Sequence, residues 1–155
     1  MVLITPAEPN DAEVILALQK RAYQSEARLY NDWNIPPLTQ TLPALRDEIE
    51  TAIVLKAVKG RTIVGSVRAS VTERVCSIGR LIVEPEFQGQ GIGTMLLKAI
   101  EGAVPKVNRF ELFTGSRSER NIRLYLRHGY QITRHERLSM QVTLVYMSKC
   151  AHSRR

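Results

Sequence analysis

The run Leu81-Ile82-Val83-Glu84-Pro85-Glu86-Phe87-Gln88-Gly89-Gln90-Gly91-Ile92-Gly93 constrains the chain more than any other segment. It reads as a buried apolar strand, a turn marked by Pro85 and a glycine-rich loop that opens a helix. In that helix Ile92, Met95, Leu96, Ala99, Ile100 and Ala103 recur at the spacing of one apolar face, and Pro105 stops it. Glycines at a helix mouth let ligand atoms approach the backbone, because no Cβ intervenes. The helix start adds unpaired N–H groups and a partial positive charge. Such a place suits phosphate or pyrophosphate.

Three phosphate-binding patterns compete for this loop. A Walker loop needs Lys-Ser or Lys-Thr after its last glycine, but Gly93 is followed by Thr94-Met95. A dinucleotide fingerprint needs Gly-x-Gly-x-x-Gly, and Gly89-x-Gly91-x-Gly93 is one residue short, on a strand that lies mid-chain. The third pattern, Gln-x-x-Gly-x-Gly, is matched by Gln88, Gly91 and Gly93 directly after Val83-x-Pro85. A second block follows downstream, Asn121-x-x-x-Tyr125-x-x-x-Gly129-Tyr130.

On these two blocks, in this order, the chain resembles the GNAT superfamily of acyl-coenzyme A-dependent N-acetyltransferases, over roughly Ile53 to Tyr146. The resemblance implies an enzyme that moves an acetyl group from acetyl-coenzyme A to a primary amine through a tetrahedral intermediate. It implies that Gln88, Gly89, Gln90, Gly91, Ile92, Gly93 and Thr94 cradle the cofactor pyrophosphate. It also implies that the strand at Leu81, Ile82 and Val83 pairs with the pantetheine arm through backbone groups and stabilises the oxyanion. Asn121 would bond the cofactor, and Tyr125 would hydrogen-bond or protonate the departing thiolate. No metal is implied.

Each of these residues also has a plain reading. The side chains of Leu81 and Val83 read as core, and Tyr125 shares a helix face with Ile122 and Leu126. Arg117, Arg120, Arg123 and Arg127 make either a solvated helix face or an attractor for coenzyme phosphates. For the general base, Val75 to Val83 offers no acid, so Glu111 on the next strand and Glu73 at a hairpin are the candidates. His128 and His135 read as surface residues. Tyr23, Tyr30 and Trp33, with Glu26 and Asp32, either line an amine site or pack two short helices on the sheet, and residues 34–38 form a rigid connector or lip. The sequence does not identify the amine, which is a small molecule or a peptide.

At 155 residues and 44% hydrophobic content the chain suits one domain, over 1–150, with 151–155 as a loose tail. No signal peptide and no membrane span is visible. Two cysteines, Cys76 and Cys150, fit no metal spacing and suit a reducing compartment, so a cytoplasmic location is expected. The net charge of +7 raises nucleic acid as a partner, but aromatics are only 6% and are not interleaved with the arginines, which argues against it. A non-catalytic acyl-coenzyme A sensor remains the alternative to an enzyme. The late strands leave room for a homodimer without showing one.

Periodicity and turn signals give the order of elements. A strand at Val2 to Thr5 is followed by a helix capped by Asn10 and reaching about Ala27, then a short helix from Pro43 to Glu50. Strands at Ala52 to Val58, Thr62 to Val71 and Val75 to Val83 form an antiparallel meander. After the amphipathic helix, a strand at Arg109 to Phe113 should pair in parallel, and Ser116-x-x-Glu119 is a capping box for the helix carrying Tyr125, with Gly129 at its end. Strands at Tyr130 to Arg134 and Leu138 to Ser148 finish the chain. The expected fold class is α/β, a mixed and mostly antiparallel central sheet with helices on both faces.

Overall fold

The computed structural model describes residues 1–151. Seven strands, β1 (Val2–Pro6), β2 (Ile53–Lys59), β3 (Thr62–Thr72), β4 (Val75–Val83), β5 (Arg109–Gly115), β6 (Gln131–Arg137) and β7 (Thr143–Cys150), form one sheet in the order β1-β2-β3-β4-β5-β7-β6. Among them only β4 and β5 pair in parallel; the other neighbours are antiparallel. The helices are α1 (Ala12–Ala22), α2 (Gln24–Tyr30), α3 (Pro36–Thr39), α4 (Leu42–Thr51), α5 (Ile92–Ala103) and α6 (Glu119–Arg127). The expected mixed, mostly antiparallel sheet with helices on both faces is the observed fold.

Alternation along β2 decides which helix covers which face. Leu55 and Ala57 point into the main core, where Ile92, Leu96, Leu97 and Ile100 of α5 pack with Tyr125 of α6. Val54 points the other way, against Ala12 and Ile15 of α1 and Leu45 and Ile49 of α4. Thr41 starts α4 by accepting the Ala44 N–H at 3.3 Å.

Several boundaries differ from expectation for identifiable reasons. The single helix to Ala27 is two, broken at Tyr23 (φ −87°, ψ 0°), and α2 closes on Asn31 in the left-handed region. Asn10 caps nothing; it lies in a 3-10 turn, Pro9–Asp11, in which the Asp11 carboxylate accepts the Glu8 N–H at 2.8 Å. Ser116 is not the cap of α6, which begins after Ser118. Edge strand β6 runs to Arg137 and is exposed throughout, so no apolar period marked its end. β7 starts only at Thr143, because the Leu138 N–H donates to the Val142 carbonyl and closes the hairpin instead. Of the tail, Ala151 is tied to the Asn108 carbonyl at 2.9 Å, while 152–155 lie outside the described residues.

A buried polar cluster fastens α1, α3 and α4 to the sheet. Arg68 of β3 is nearly inaccessible, and its guanidinium donates to Glu48 at 2.7 Å and to the Gln19 side-chain carbonyl. Gln19 in turn donates to the Pro37 carbonyl at 2.9 Å and to Gln40 at 3.0 Å. Burial pulls the Arg68 pKa below its ordinary range and Glu48 opposes that shift. Replacing Arg68 by Ala removes the donor to the Gln19 carbonyl and the cation paired with Glu48, which keeps only the Gln40 amide at 2.5 Å. Glu48 is 41% exposed and recovers hydration, so the expected loss is about 2 kcal/mol, less than for a fully buried pair. Urea unfolding of Arg68→Ala should show a lower midpoint at unchanged slope.

Candidate active site

The site begins where two strands part. β4 and β5 are in register only at Val75↔Arg109, Cys76↔Phe110 and Ser77↔Glu111. Beyond Ser77 the β5-facing edge of β4 has no strand partner among the described residues, which leaves backbone groups available for an extended ligand. A bulge follows just beyond the last pair. Ser66 pairs with Ile82 and Arg68 with Gly79, so Val67 opposes both Arg80 and Leu81, and Arg80 sits at φ +51°. The extra residue inverts the alternation: Cys76 and Ile78 face the main core before it, Leu81 and Val83 after it.

A cavity of about 540 Å³ runs from this edge to the glycine loop. Gly89 and Gly91 adopt φ +82° and +88°, and a Cβ on either would meet nothing within 4 Å, so the loop presents bare backbone to open space. Gly91 precedes α5, whose first N–H groups face the same opening. Gln88 shapes the loop by donating to the Val83 carbonyl at 3.2 Å and accepting from Arg120 at 2.6 Å. Arg117, Arg120, Arg123 and Arg127 all line the cavity, which favours a polyanion. Thr94 lies at its rim, 3.3 Å from His128 Nε2. Burial first, then Lys98, Lys149 and Arg127, lower the His128 pKa, so that ring is neutral near pH 7.

A second cavity, of about 290 Å³, opens on the other side of the gap. Tyr23, Glu26, Leu81 and Asn121 line both cavities and therefore mark their junction. Tyr125 faces the second cavity; its ring is buried and tilts against Tyr130 at 5.9 Å between centroids. Burial raises its pKa well above 10, and Tyr23 and Glu26 push in the same direction. The hydroxyl thus stays protonated, a donor at any physiological pH. Ser118 carries the brace of the junction: its hydroxyl donates to Glu26 and lies 2.8 Å from the Tyr30 hydroxyl, which also accepts the Arg117 N–H at 2.8 Å. The same bonds explain why the Ser118 hydroxyl, although at the N-cap position of α6, makes no capping bond.

Residues 14–130 match the sequence profile of the Acetyltransferase (GNAT) family. The chain belongs to that family. It is an acyltransferase of the N-acetyltransferase kind. No curated protein sequence gives a significant match. Among solved structures, a GNAT acetyltransferase of Streptococcus pneumoniae superposes with a TM-score of 0.79 at 20% identity, over 97% of this chain and 99% of that one. The Escherichia coli ribosomal-protein-S18-alanine N-acetyltransferase gives 0.81 at 16%, over 97% and 94%. The Thermoplasma acidophilum PaiA N-acetyltransferase, solved in complex with coenzyme A, gives 0.78 at 17%, over 97% and 99%. These likenesses concern the fold.

Within this GNAT chain the structure gathers most of the residues singled out from the sequence. Leu81, Ile82, Val83, Gln88, Gly89, Gly91, Ile92, Gly93, Thr94 and Asn121 line the first cavity, and Gln90 lies in the same loop without lining it. Asn121 donates to Thr114 Oγ1 at 3.3 Å. Glu111 is not gathered with them. It shares a face with Phe113 but sits where β4 and β5 are still paired, lines neither cavity, and is engaged by Arg109 at 2.8 Å. Glu73 lies in the β3–β4 turn at φ +50°. Of the expected acceptor residues, Tyr23, Glu26 and Tyr30 line the second cavity. Trp33 and Asp32 do not; Trp33 is half exposed and Asp32 accepts the Asn34 N–H at 3.0 Å.

The sequence reading missed Arg80, Ser118 and Gly115. Gly79 within a strand pattern was a signal for the bulge at Arg80, whereas nothing local marks Ser118. Gly115 is required by close approach: a Cβ there would overlap the Tyr30 hydroxyl and ring. Gly115→Ala should therefore expel Tyr30 and cost about 1–3 kcal/mol. In a thermal-denaturation double-mutant cycle, most of that cost should vanish in a Tyr30→Ala background.

Proposed function

We propose that the protein transfers the acetyl group of acetyl-coenzyme A to a primary amine that attacks the thioester carbonyl directly. The observation that carries this is the pair of cavities meeting at Tyr23, Glu26, Leu81 and Asn121, one ending on a bare glycine loop at a helix start and the other beside Tyr125. A thioester lying along β4 would present its carbonyl at that junction. A C–N bond forms there, the C–S bond breaks, the amine gives up a proton, and coenzyme A leaves as a thiol.

The pyrophosphate would rest on the backbone N–H groups of the loop and of the first turn of α5, with the arginines of the α6 region supplying counter-charge. The unpaired edge of β4 at Leu81 and Val83 would hold the pantetheine arm by added-strand bonds and place N–H donors at the developing oxyanion. Tyr125 would donate its hydroxyl to the departing sulfur. For the proton of the amine we assign Glu26 rather than Glu111, because Glu26 lines both cavities and Glu111 neither. An amine panel followed by free-thiol release tests the activity as a whole.

Gly91→Val places a β-branched side chain at φ +88° and fills the open space in front of the loop. Isothermal titration with acetyl-coenzyme A should show binding lost in a variant that still unfolds cooperatively, with Gly91→Ala weakened less.

Tyr125→Phe keeps the ring and its packing. Turnover should fall roughly 10²-fold, in kcat more than KM. Because burial raises the Tyr125 pKa above 10, its proton is not lost on the way up to pH 9. The wild-type kcat profile should accordingly show no falling limb from this group between pH 6 and 9.

A further inference from the structure

The second cavity contains a cation that nothing in the reaction so far uses. Arg80 lines it from the bulge in β4, held at φ +51°, a backbone region that costs a non-glycine residue about 1 kcal/mol or more. Its Nε is buried with no hydrogen-bond partner, and among the described residues Arg80 has no ion pair with an acid. Its neighbours do not neutralise it. Arg68 lies close enough to repel it and is itself compensated by Glu48, and Tyr23, which bonds Arg80, stays protonated because burial raises its pKa. A guanidinium facing a partly desolvated cavity without a counter-ion is unfavourable unless a ligand brings one.

One wall of that cavity is largely apolar. Phe113 is half exposed and tilts against Tyr146 at 5.3 Å, and Ile35, Leu138, Val142 and Leu144 extend the same wall. Glu26 lies at the junction where the amine must react. Three different demands thus fall on one small acceptor: an amine at Glu26, an anion at Arg80 and an apolar group on the Phe113–Tyr146 wall.

We propose that the acceptor is an α-amino acid with an apolar or aromatic side chain and a free carboxylate, which Arg80 binds as a specificity-determining residue. The inference rests on the acetyl-transfer reading above and narrows it. Arg and a carboxylate form paired charge-assisted hydrogen bonds, and the buried Nε of Arg80 is one donor such a ligand would satisfy. A polyamine would meet a cation where it needs acids, and a peptide N-terminus would leave Arg80 without a counter-ion because its carboxyl is an amide.

The test compares kcat/KM by thiol release for L-phenylalanine, L-phenylalaninamide, L-leucine, L-leucinamide and spermidine, with acetyl-coenzyme A binding measured separately by calorimetry. The wild type should prefer each free acid to its amide by about 10- to 100-fold, the worth of a hydrogen bond to a charged group. Arg80→Gln should bring the acid-to-amide ratio near one, and Arg80→Lys should restore part of it. A role for Arg80 in folding alone would lower both rates and leave that ratio in place. Equal or better use of the amides by the wild type, a preference for spermidine, or acetyl-coenzyme A binding with none of these amines acetylated overturns the inference. No binding of acetyl-coenzyme A overturns the acetyl-transfer reading beneath it.

Discussion

The geometry of the molecule turns on the place where β4 stops pairing with β5. Three residue pairs hold the strands together in parallel, and the bulge at Arg80 then carries β4 out of register with its own earlier alternation. A continuous ladder would have covered the backbone groups at Leu81 and Val83. The departure instead leaves an unpaired strand edge inside the protein, which is tolerable only where a ligand or side chains attend to it. Both cavities border that edge, and Leu81 lines each of them.

What keeps the gap from closing is the set of helices laid over it. The Arg68–Gln19–Gln40–Glu48 cluster fixes α1 and α4 to the middle of the sheet, and Arg21 of α1 grips Glu84, just past the end of β4, through two bonds of 2.6 and 3.1 Å. From there the chain breaks at Tyr23 into α2, whose Tyr30 reaches Ser118 and lies flush on Gly115. The two polar clusters do different work. The first is buried and anchors helices to strands, whereas the second joins α2 to the start of α6 across the gap and fixes the carboxylate of Glu26 at the junction.

Charge is divided along the same line. The arginines around α6 face the larger cavity, where a polyanion gains from them, while the smaller cavity holds Arg80, which has no acid partner among the described residues, beside a largely apolar wall. Five arginines of the basic chain are thus placed in the cleft, four at the larger cavity and Arg80 at the smaller. Tyr125 stands between these environments, with its ring in the main core and its hydroxyl proton retained by burial.

The sequence alone determined the elements whose signals are local. The apolar face of α5, the glycine loop before it, the meander of β2 to β4 and the order of the two motif blocks follow from side-chain periodicity and from residues that only certain backbones accept. What it could not supply was any position set by partners far along the chain. Glu111 and Glu26 are both acids on plausible elements, and only the end of the β4–β5 pairing decides that one lies at the gap and the other beside Arg109. Ser118 could not be read as a brace because Tyr30 and Glu26 are 88 and 92 residues away in the chain. Arg80 drew no reading from the sequence. A bulge costs the sequence only one residue, yet it reverses which face every later side chain occupies, and that reversal exists only once β3 is paired against it.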